Sequence, residues 1–174
     1  LHGRGSADMK GFIAACLQAL AAIDRGSWLR PLVLICADRY RFAVALLAAW
    51  QAGHRVVLPP NGQAETVERV AVQSEALVVL HDTEQAPAQV PHLRVHQLLG
   101  AAASTPGEPL RAISLHTVVV TAFTSGSSGA FQPVAKTAGQ LFSEVACLAR
   151  TLDVRPGHRI LATVPPHHIY GLLF

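Results

Sequence analysis

The chain has 174 residues, of which 51% are hydrophobic and 14% are charged, and its formal net charge is +3 at pH 7. This composition excludes intrinsic disorder, which requires low hydrophobicity and high net charge, and it predicts one hydrophobic core. The basic residues are scattered, so they do not indicate the basic stripe of a nucleic-acid-binding protein. The apolar runs are shorter than the roughly 20 residues of a membrane-spanning helix, so no membrane span is expected.

The cysteines and histidines do not suggest a metal site. Cys16, Cys36 and Cys147 lie far apart, and an odd number without a CxxC pair indicates neither a disulfide framework nor structural zinc. His92 and His96 are four residues apart, but they lie in a proline-flanked stretch without neighbouring ligands. Buried free thiols are expected instead, and these are typical of a reducing compartment, which favours a cytoplasmic protein.

Helices and strands alternate along the first half of the chain. Apolar residues at three- and four-residue spacings indicate the helices, and short continuous apolar runs indicate strands covered on both faces. The predicted helices cover residues 7–23, 39–52 and 64–73, and the predicted strands cover residues 31–36, 55–58 and 76–80. This alternation predicts an α/β fold, a mainly parallel sheet with helices on both faces.

The second half restarts after a connection rich in Pro, Gln, Ala and Ser, in which one short strand at 93–95 is expected. The β-branched and aromatic run 117–123 is the clearest strand of the chain. A helix over 138–152 and a strand over 159–164 follow. The chain is expected to form a single partial domain, which consists of a helix–strand unit 1–81, a variable connection 82–116 and a third unit 117–174.

A run of small polar residues directly follows the strand 117–123. It consists of Thr124, Ser125, Gly126, Ser127, Ser128 and Gly129. Glycines allow a tight turn in which several amide hydrogens converge on an anion, and hydroxyl groups add further donors. Ligands collect at the carboxyl ends of strands in α/β sheets, so this run is a candidate site for nucleotide phosphates. The alternative is a solvated Ser/Gly turn without a ligand.

Two common nucleotide-binding motifs do not fit this run. A Walker A loop needs G-x-x-x-x-G-K-[ST], whereas Lys136 follows Ala135 in place of the second glycine and stands at the wrong distance from Gly129. Gly126 and Gly129 match only the last two glycines of GxGxxG. The sequence therefore indicates neither a Walker-type NTPase nor a dinucleotide dehydrogenase.

Three elements, in this order, resemble the adenylate-forming superfamily of acyl-CoA synthetases, peptide-synthetase adenylation domains and firefly luciferase. Residues 38–58 are similar to the superfamily's N-terminal helix–strand unit. The run 124–129 resembles its Ser/Thr/Gly phosphate loop, and residues 168–171 (His-Ile-Tyr-Gly) resemble its later H-x-x-G element. The resemblance covers most of the chain.

The resemblance implies a two-step ligase reaction. ATP, with Mg²⁺, activates a carboxylic acid as an acyl-adenylate, and the acyl group then passes to the thiol of CoA or of a carrier protein's phosphopantetheine. By resemblance, the run 124–129 holds the β- and γ-phosphates, while His168 and Gly171 belong to the acyl pocket. The superfamily loop continues with Pro-Lys, where this chain has Phe131-Gln132, and Lys136 is the candidate replacement for that lysine.

The resemblance also implies that the chain is the first part of a larger domain. The adenine site, the magnesium-binding Glu and the catalytic Lys are expected beyond Phe174, so no catalytic residue and no metal ligand are assigned here. The fragment alone is expected to be inactive and to expose an apolar face through which it can oligomerise. The alternative function, from another class, is a non-catalytic α/β binding or assembly module derived from such an enzyme.

Overall fold

The computed structural model describes residues 30–84, 87, 89–99, 112–125 and 131–173, which build one six-stranded sheet and its helices. The strands are β1 (Leu32–Ile35), β2 (Val56–Leu58), β3 (Val78–His81), β4 (His92–Arg94), β5 (Val118–Ser125) and β6 (Phe131–Thr137). The helices are α1 (Arg39–Gln51), α2 (Ala64–Gln73), α3 (Val95–Leu99), α4 (Ala138–Thr151) and α5 (Ile169–Leu172). The predicted helix over 7–23 lies outside the described residues.

The sheet has the strand order β4-β3-β1-β2-β5-β6. Its neighbouring strands are parallel except for the antiparallel pair of β5 and β6. β2 and β3 lie on opposite sides of β1, so right-handed crossovers require α1 and α2 to cover opposite faces. The packing agrees: Leu46 of α1 belongs to the core cluster that contains Leu34, whereas Val70 of α2 belongs to the cluster of Val33. The predicted α/β fold is confirmed.

The central strands are covered on both faces, which explains their continuous apolar sequences. All residues of β1, β2 and β3 are buried. α1 ends where Gly53 adopts a φ of 86°, a backbone conformation that glycine reaches without steric cost. Ala138 and Leu141 of α4 join the same core cluster as α1, so the second half of the chain packs onto the first.

The sequence-based predictions differ from the structure in the second half. β6 was not predicted, because this edge strand is mostly exposed and contains Pro133, which cannot donate a ladder hydrogen bond. The predicted strand over 159–164 is wrong: no described strand pairs with it, and Leu161 is 90% exposed. A strand needs partners for its backbone groups, which an apolar sequence alone does not supply. The connection 82–116 contains β4, which overlaps the short strand predicted at 93–95. It also contains α3, which was not predicted.

Candidate functional site

A cleft opens at the carboxyl ends of the parallel strands. The chain leaves β1 and β2 toward opposite faces of the sheet, and ligands of open α/β sheets bind at such a crossing point. The cleft has a volume of about 360 Å³. Its walls include Cys36 after β1, Gly62 after β2, Thr83 after β3 and the segment 162–167. The end of the sheet that the sequence indicated as the ligand edge is therefore concave.

Two carboxylates occupy the amino end of α1 at this edge. The Asp38 side chain accepts a hydrogen bond of 2.8 Å from the Arg41 amide. The Asp82 carboxylate accepts hydrogen bonds of 2.9 Å from the amides of Ala37 and Asp38. Negative charge is favourable at a helix amino terminus. These amides are occupied by protein groups, so this helix end is not the phosphate site.

The structure describes the two flanks of the predicted phosphate run. Thr124 and Ser125 are the last residues of β5 rather than part of a loop, and they pair with Gln132 and Phe131 of β6. The Thr124 hydroxyl is 3.4 Å from the Gln132 carbonyl oxygen, to which it donates. The other four predicted phosphate ligands, Gly126, Ser127, Ser128 and Gly129, lie outside the described residues. The described antiparallel ladder thus includes the first two residues of the run and reaches Phe131 on the other strand.

Lys136 lies near the opposite end of this strand pair. Lys136 pairs with Val120 of β5. It stands five positions after Phe131 on β6, a distance of about 17 Å along the strand. Its Nζ is 3.9 Å from Oε2 of Glu144 on α4. The structure therefore does not bring Lys136 together with Thr124.

A different cation lies at the flank of the run. The Arg69 guanidinium carbon is 4.7 Å from the centroid of the Phe131 ring, in cation–π contact. Arg69 is exposed, and it forms none of the ion pairs found in the described part of the chain. Sequence reasoning missed it because α2 is distant in sequence, and no local pattern links an arginine there to the end of β5.

The predicted acyl-pocket residues lie at α5. His168 precedes this helix, and its Nδ1 accepts a hydrogen bond of 3.4 Å from the Tyr170 amide. Its side chain is exposed. Gly171 is buried, and a Cβ atom there would be 1.9 Å from the Pro165 carbonyl oxygen. Only glycine fits at that position, which gives the final residue of the H-x-x-G element a structural reason.

His167, which the sequence analysis did not assign, lines the cleft beside this element. Burial lowers the pKa of its ring, and the neighbouring His168 lowers it further, while a hydrogen bond with the Cys36 backbone acts in the opposite direction. Nδ1 of His167 is buried without a hydrogen-bond partner among residues that the structure describes. The site therefore presents a mostly neutral imidazole near pH 7.

Arg39, the first residue of α1, contacts both ends of the segment 162–171. It donates hydrogen bonds to the carbonyl oxygens of Gly171 at 3.0 Å and Ala162 at 3.3 Å, and also to that of Val164. No local sequence pattern indicates these contacts, because they join residues more than a hundred positions apart.

Several surface features bear on the other expectations. Cys36 is buried, but Cys147 is exposed, so the expectation of buried thiols is wrong at Cys147. α4 exposes Phe142 and Val145, which agrees with an exposed apolar face.

Within the described ranges, no group of three or more His, Cys, Asp or Glu side chains is arranged to hold a metal ion. None of the helices described is long and apolar enough to cross a membrane.

The fold is that of a doubly wound α/β protein with a cleft at the carboxyl edge of its sheet. The family profile described as AMP-binding enzyme matches residues 10–174. The chain belongs to this family, which confirms the resemblance to adenylate-forming enzymes.

Relatives of known structure share the fold. O-succinylbenzoate coenzyme A synthetase from Bacillus subtilis superposes with a TM-score of 0.76 at 20% identity, over 96% of this chain and 44% of that chain. For a Mycobacterium tuberculosis fatty acyl CoA synthetase, the TM-score is 0.73 at 20% identity, over 96% and 36%. A 4-coumarate–CoA ligase from Cereibacter sphaeroides is 45% identical over 53 residues, 29% of this chain and 13% of the ligase. The chain thus spans less than half the length of these proteins.

Proposed function

We propose that this chain is the amino-terminal, phosphate-binding part of an ATP-dependent ligase. The ligase activates a carboxylic acid as an acyl-adenylate and transfers the acyl group to a thiol of CoA or of a carrier protein. The observation that carries the proposal is membership of the AMP-binding family over residues 10–174. The B. subtilis synthetase, which shares the fold, has been solved with AMP and with ATP and a magnesium ion.

The residues at the end of β5 have the chemistry for binding a triphosphate. The run 124–129 contains hydroxyl and backbone amide donors and no carboxylate that would repel phosphate. Arg69 brings a positive charge to Phe131, directly beside that run. Phosphoryl and nucleotidyl transfer depend mainly on positioning and on neutralising phosphate charge, and these residues supply both.

The acid is proposed to bind toward the H-x-x-G element. His167 lines the cleft at the carboxyl edge of the sheet, and His168 and Gly171 follow it within four residues of the chain. Mg²⁺ would neutralise triphosphate charge when bound. The described residues offer no group of ligands for it, so we assign it no ligand in this chain and derive no step from it.

The remaining partners belong to the same proposal. The adenine site and the catalytic Lys are assigned to a carboxyl-terminal part outside this chain, so the 174 residues alone are expected to be inactive. The location is proposed to be the cytoplasm, where ATP, CoA and acyl carrier protein are available.

Acid-dependent ATP–pyrophosphate exchange tests the proposal. The longer protein that contains this chain should catalyse exchange with at least one member of a panel of aryl and fatty acids, whereas the 174-residue chain should not. Absence of exchange with the whole panel would contradict the ligase function and favour the binding module. Exchange by the 174-residue chain would contradict its assigned inactivity.

Substitutions within the run 124–129 test its role in the same assay. Gly126→Val should reduce ATP use more than Ser127→Ala, because valine adds bulk where the backbone must approach phosphate. Ser127→Ala removes one hydrogen bond among several, about 0.5–1.5 kcal/mol for a neutral partner. Unchanged kinetics in both variants would mean that the run is only a turn.

A further inference from the structure

The segment 159–168 reaches the cleft without the support of a strand or helix. No regular secondary structure is assigned to these residues, so their backbone carbonyls need hydrogen-bond donors from elsewhere. Arg39 donates to the carbonyls of Ala162 and Val164 in this segment and to that of Gly171 in α5. One guanidinium therefore joins the chain before the Pro165-Pro166 turn to the chain after it.

The position of Arg39 is not explained by the helix that carries it. A cation in the first turn of a helix is disfavoured by the helix dipole, and α1 has no acidic residue in that turn. Asp38 and Asp82 place negative charge at this helix end, but their described hydrogen bonds are to backbone amides. Arg39 takes part in none of the ion pairs within the described ranges. Its charged hydrogen bonds are directed to the segment.

Other contacts fix the same segment from the opposite direction. The His167 ring hydrogen-bonds the Cys36 backbone at the end of β1. The Cα of Gly171 approaches the Pro165 carbonyl so closely that no side chain fits between them. Together with Arg39, these contacts determine where the segment enters α5, and His168 is the residue directly before that helix.

We infer that Arg39 is a positioning residue that holds residues 162–171 against the carboxyl edge of the sheet and so orients His168 toward the bound acid. This inference rests on the proposed function for the identity of the ligand, but its structural part does not. Lysine can replace arginine only in part here, because a single ammonium group lacks the planar fork that reaches several carbonyls at once.

Hydrogen exchange of the 174-residue chain tests the structural part without requiring activity. Arg39→Gln should raise amide exchange in peptides covering residues 160–173 about tenfold or more, the order expected for losing charge-assisted hydrogen bonds. Peptides from β1 to β3 should remain unchanged. Arg41→Gln is the matched control, since Arg41 lies in the same turn and its side chain forms no described hydrogen bond or ion pair. Unchanged exchange at 160–173 in Arg39→Gln would overturn the inference.

Kinetics of the longer protein test the orienting role. Arg39→Gln should lower kcat/KM for the acid about tenfold while the KM for ATP changes less than twofold, because the phosphate run begins at the end of β5, outside the segment that Arg39 contacts. Arg39→Lys should recover only part of the loss, and it provides a folded variant if Arg39→Gln is unstable. An equal loss for both substrates with a lowered Tm would show a merely structural role and overturn the orienting step. If the parent protein activates no acid, the proposed function fails, and hydrogen exchange still decides whether Arg39 holds the segment.

Discussion

The two elements that carry the proposed chemistry are held in place by different kinds of interaction. β5 pairs with β2 on one side and with β6 on the other, so the residues flanking the phosphate run are fixed by backbone ladders. Residues 159–171 have no such ladder among the described strands. They depend on side-chain contacts from Arg39 and His167 and on the absence of a side chain at Gly171.

This difference predicts different responses to substitution. A backbone ladder uses groups that every residue except proline possesses, so many side-chain changes along exposed β6 should be tolerated. The segment 159–171 depends on contacts of single side chains. Changes there should therefore have large and local effects.

The largest effect is expected for Gly171→Ala. The new Cβ would lie 1.9 Å from the Pro165 carbonyl oxygen, and because this is a backbone atom the segment must move. We expect a loss of about 1–3 kcal/mol in the free energy of unfolding, the range typical of overpacking. Urea denaturation of the 174-residue chain measures it.

Gly62→Ala is the control for this substitution. A Cβ at Gly62 would be 3.8 Å from the Ile35 side chain, an ordinary contact. Its free energy of unfolding should stay within about 0.5 kcal/mol of the parent value. If the two variants were equally stable, the segment would be free to move. The proposed difference in how the phosphate run and the segment 159–171 are held in place would then be contradicted.

The sequence predicted the strands that are buried and missed the interactions that join distant parts of the chain. β1, β2 and β3 are covered on both faces, so their apolar runs were sufficient evidence for them. β6 is mostly exposed and has no apolar run. Its pairing with β5 uses backbone groups, which the side-chain pattern does not reveal. Residues 159–164 show the converse, an apolar sequence without a described partner strand.

The candidate site was predictable to the same limited extent. The motif residues His168 and Gly171 could be assigned by resemblance, and the close approach of Gly171 to Pro165 now explains one of them. Arg39 and Arg69 could not be found, because each acts on residues far along the chain that only the fold brings near. Nothing in the local sequence distinguishes them from the other scattered arginines.

An intermediate effect is expected from the cations at the two ends of the β5–β6 pair. Arg69→Gln should raise the KM for ATP of the longer protein about tenfold, the order of one charge-assisted contact, because Arg69 lies beside Phe131. Lys136→Ala should change it less than twofold, since Lys136 lies about 17 Å along the strand. Steady-state kinetics with varied ATP decide between them. A tenfold loss in Lys136→Ala alone would instead support Lys136 as the phosphate-binding cation.

The smallest effect concerns pH and compares a histidine of the sheet with one of the segment. Burial lowers the pKa of both His81 and His167 from 6.5, and a neighbouring histidine lowers each further. As the pH falls below about 6.5, the unfolded chain binds protons before the folded chain does, so stability decreases until the lower folded pKa values are reached.

Replacing His81 by Gln should flatten this decrease in global urea unfolding. Replacing His167 should flatten it in hydrogen exchange of residues 160–173, because the segment can open locally. His116, which is exposed, is the control position for replacement by Gln. Identical profiles for the His81 and His167 variants in both measurements would mean that sheet and segment unfold as one unit, contrary to the difference in how they are held.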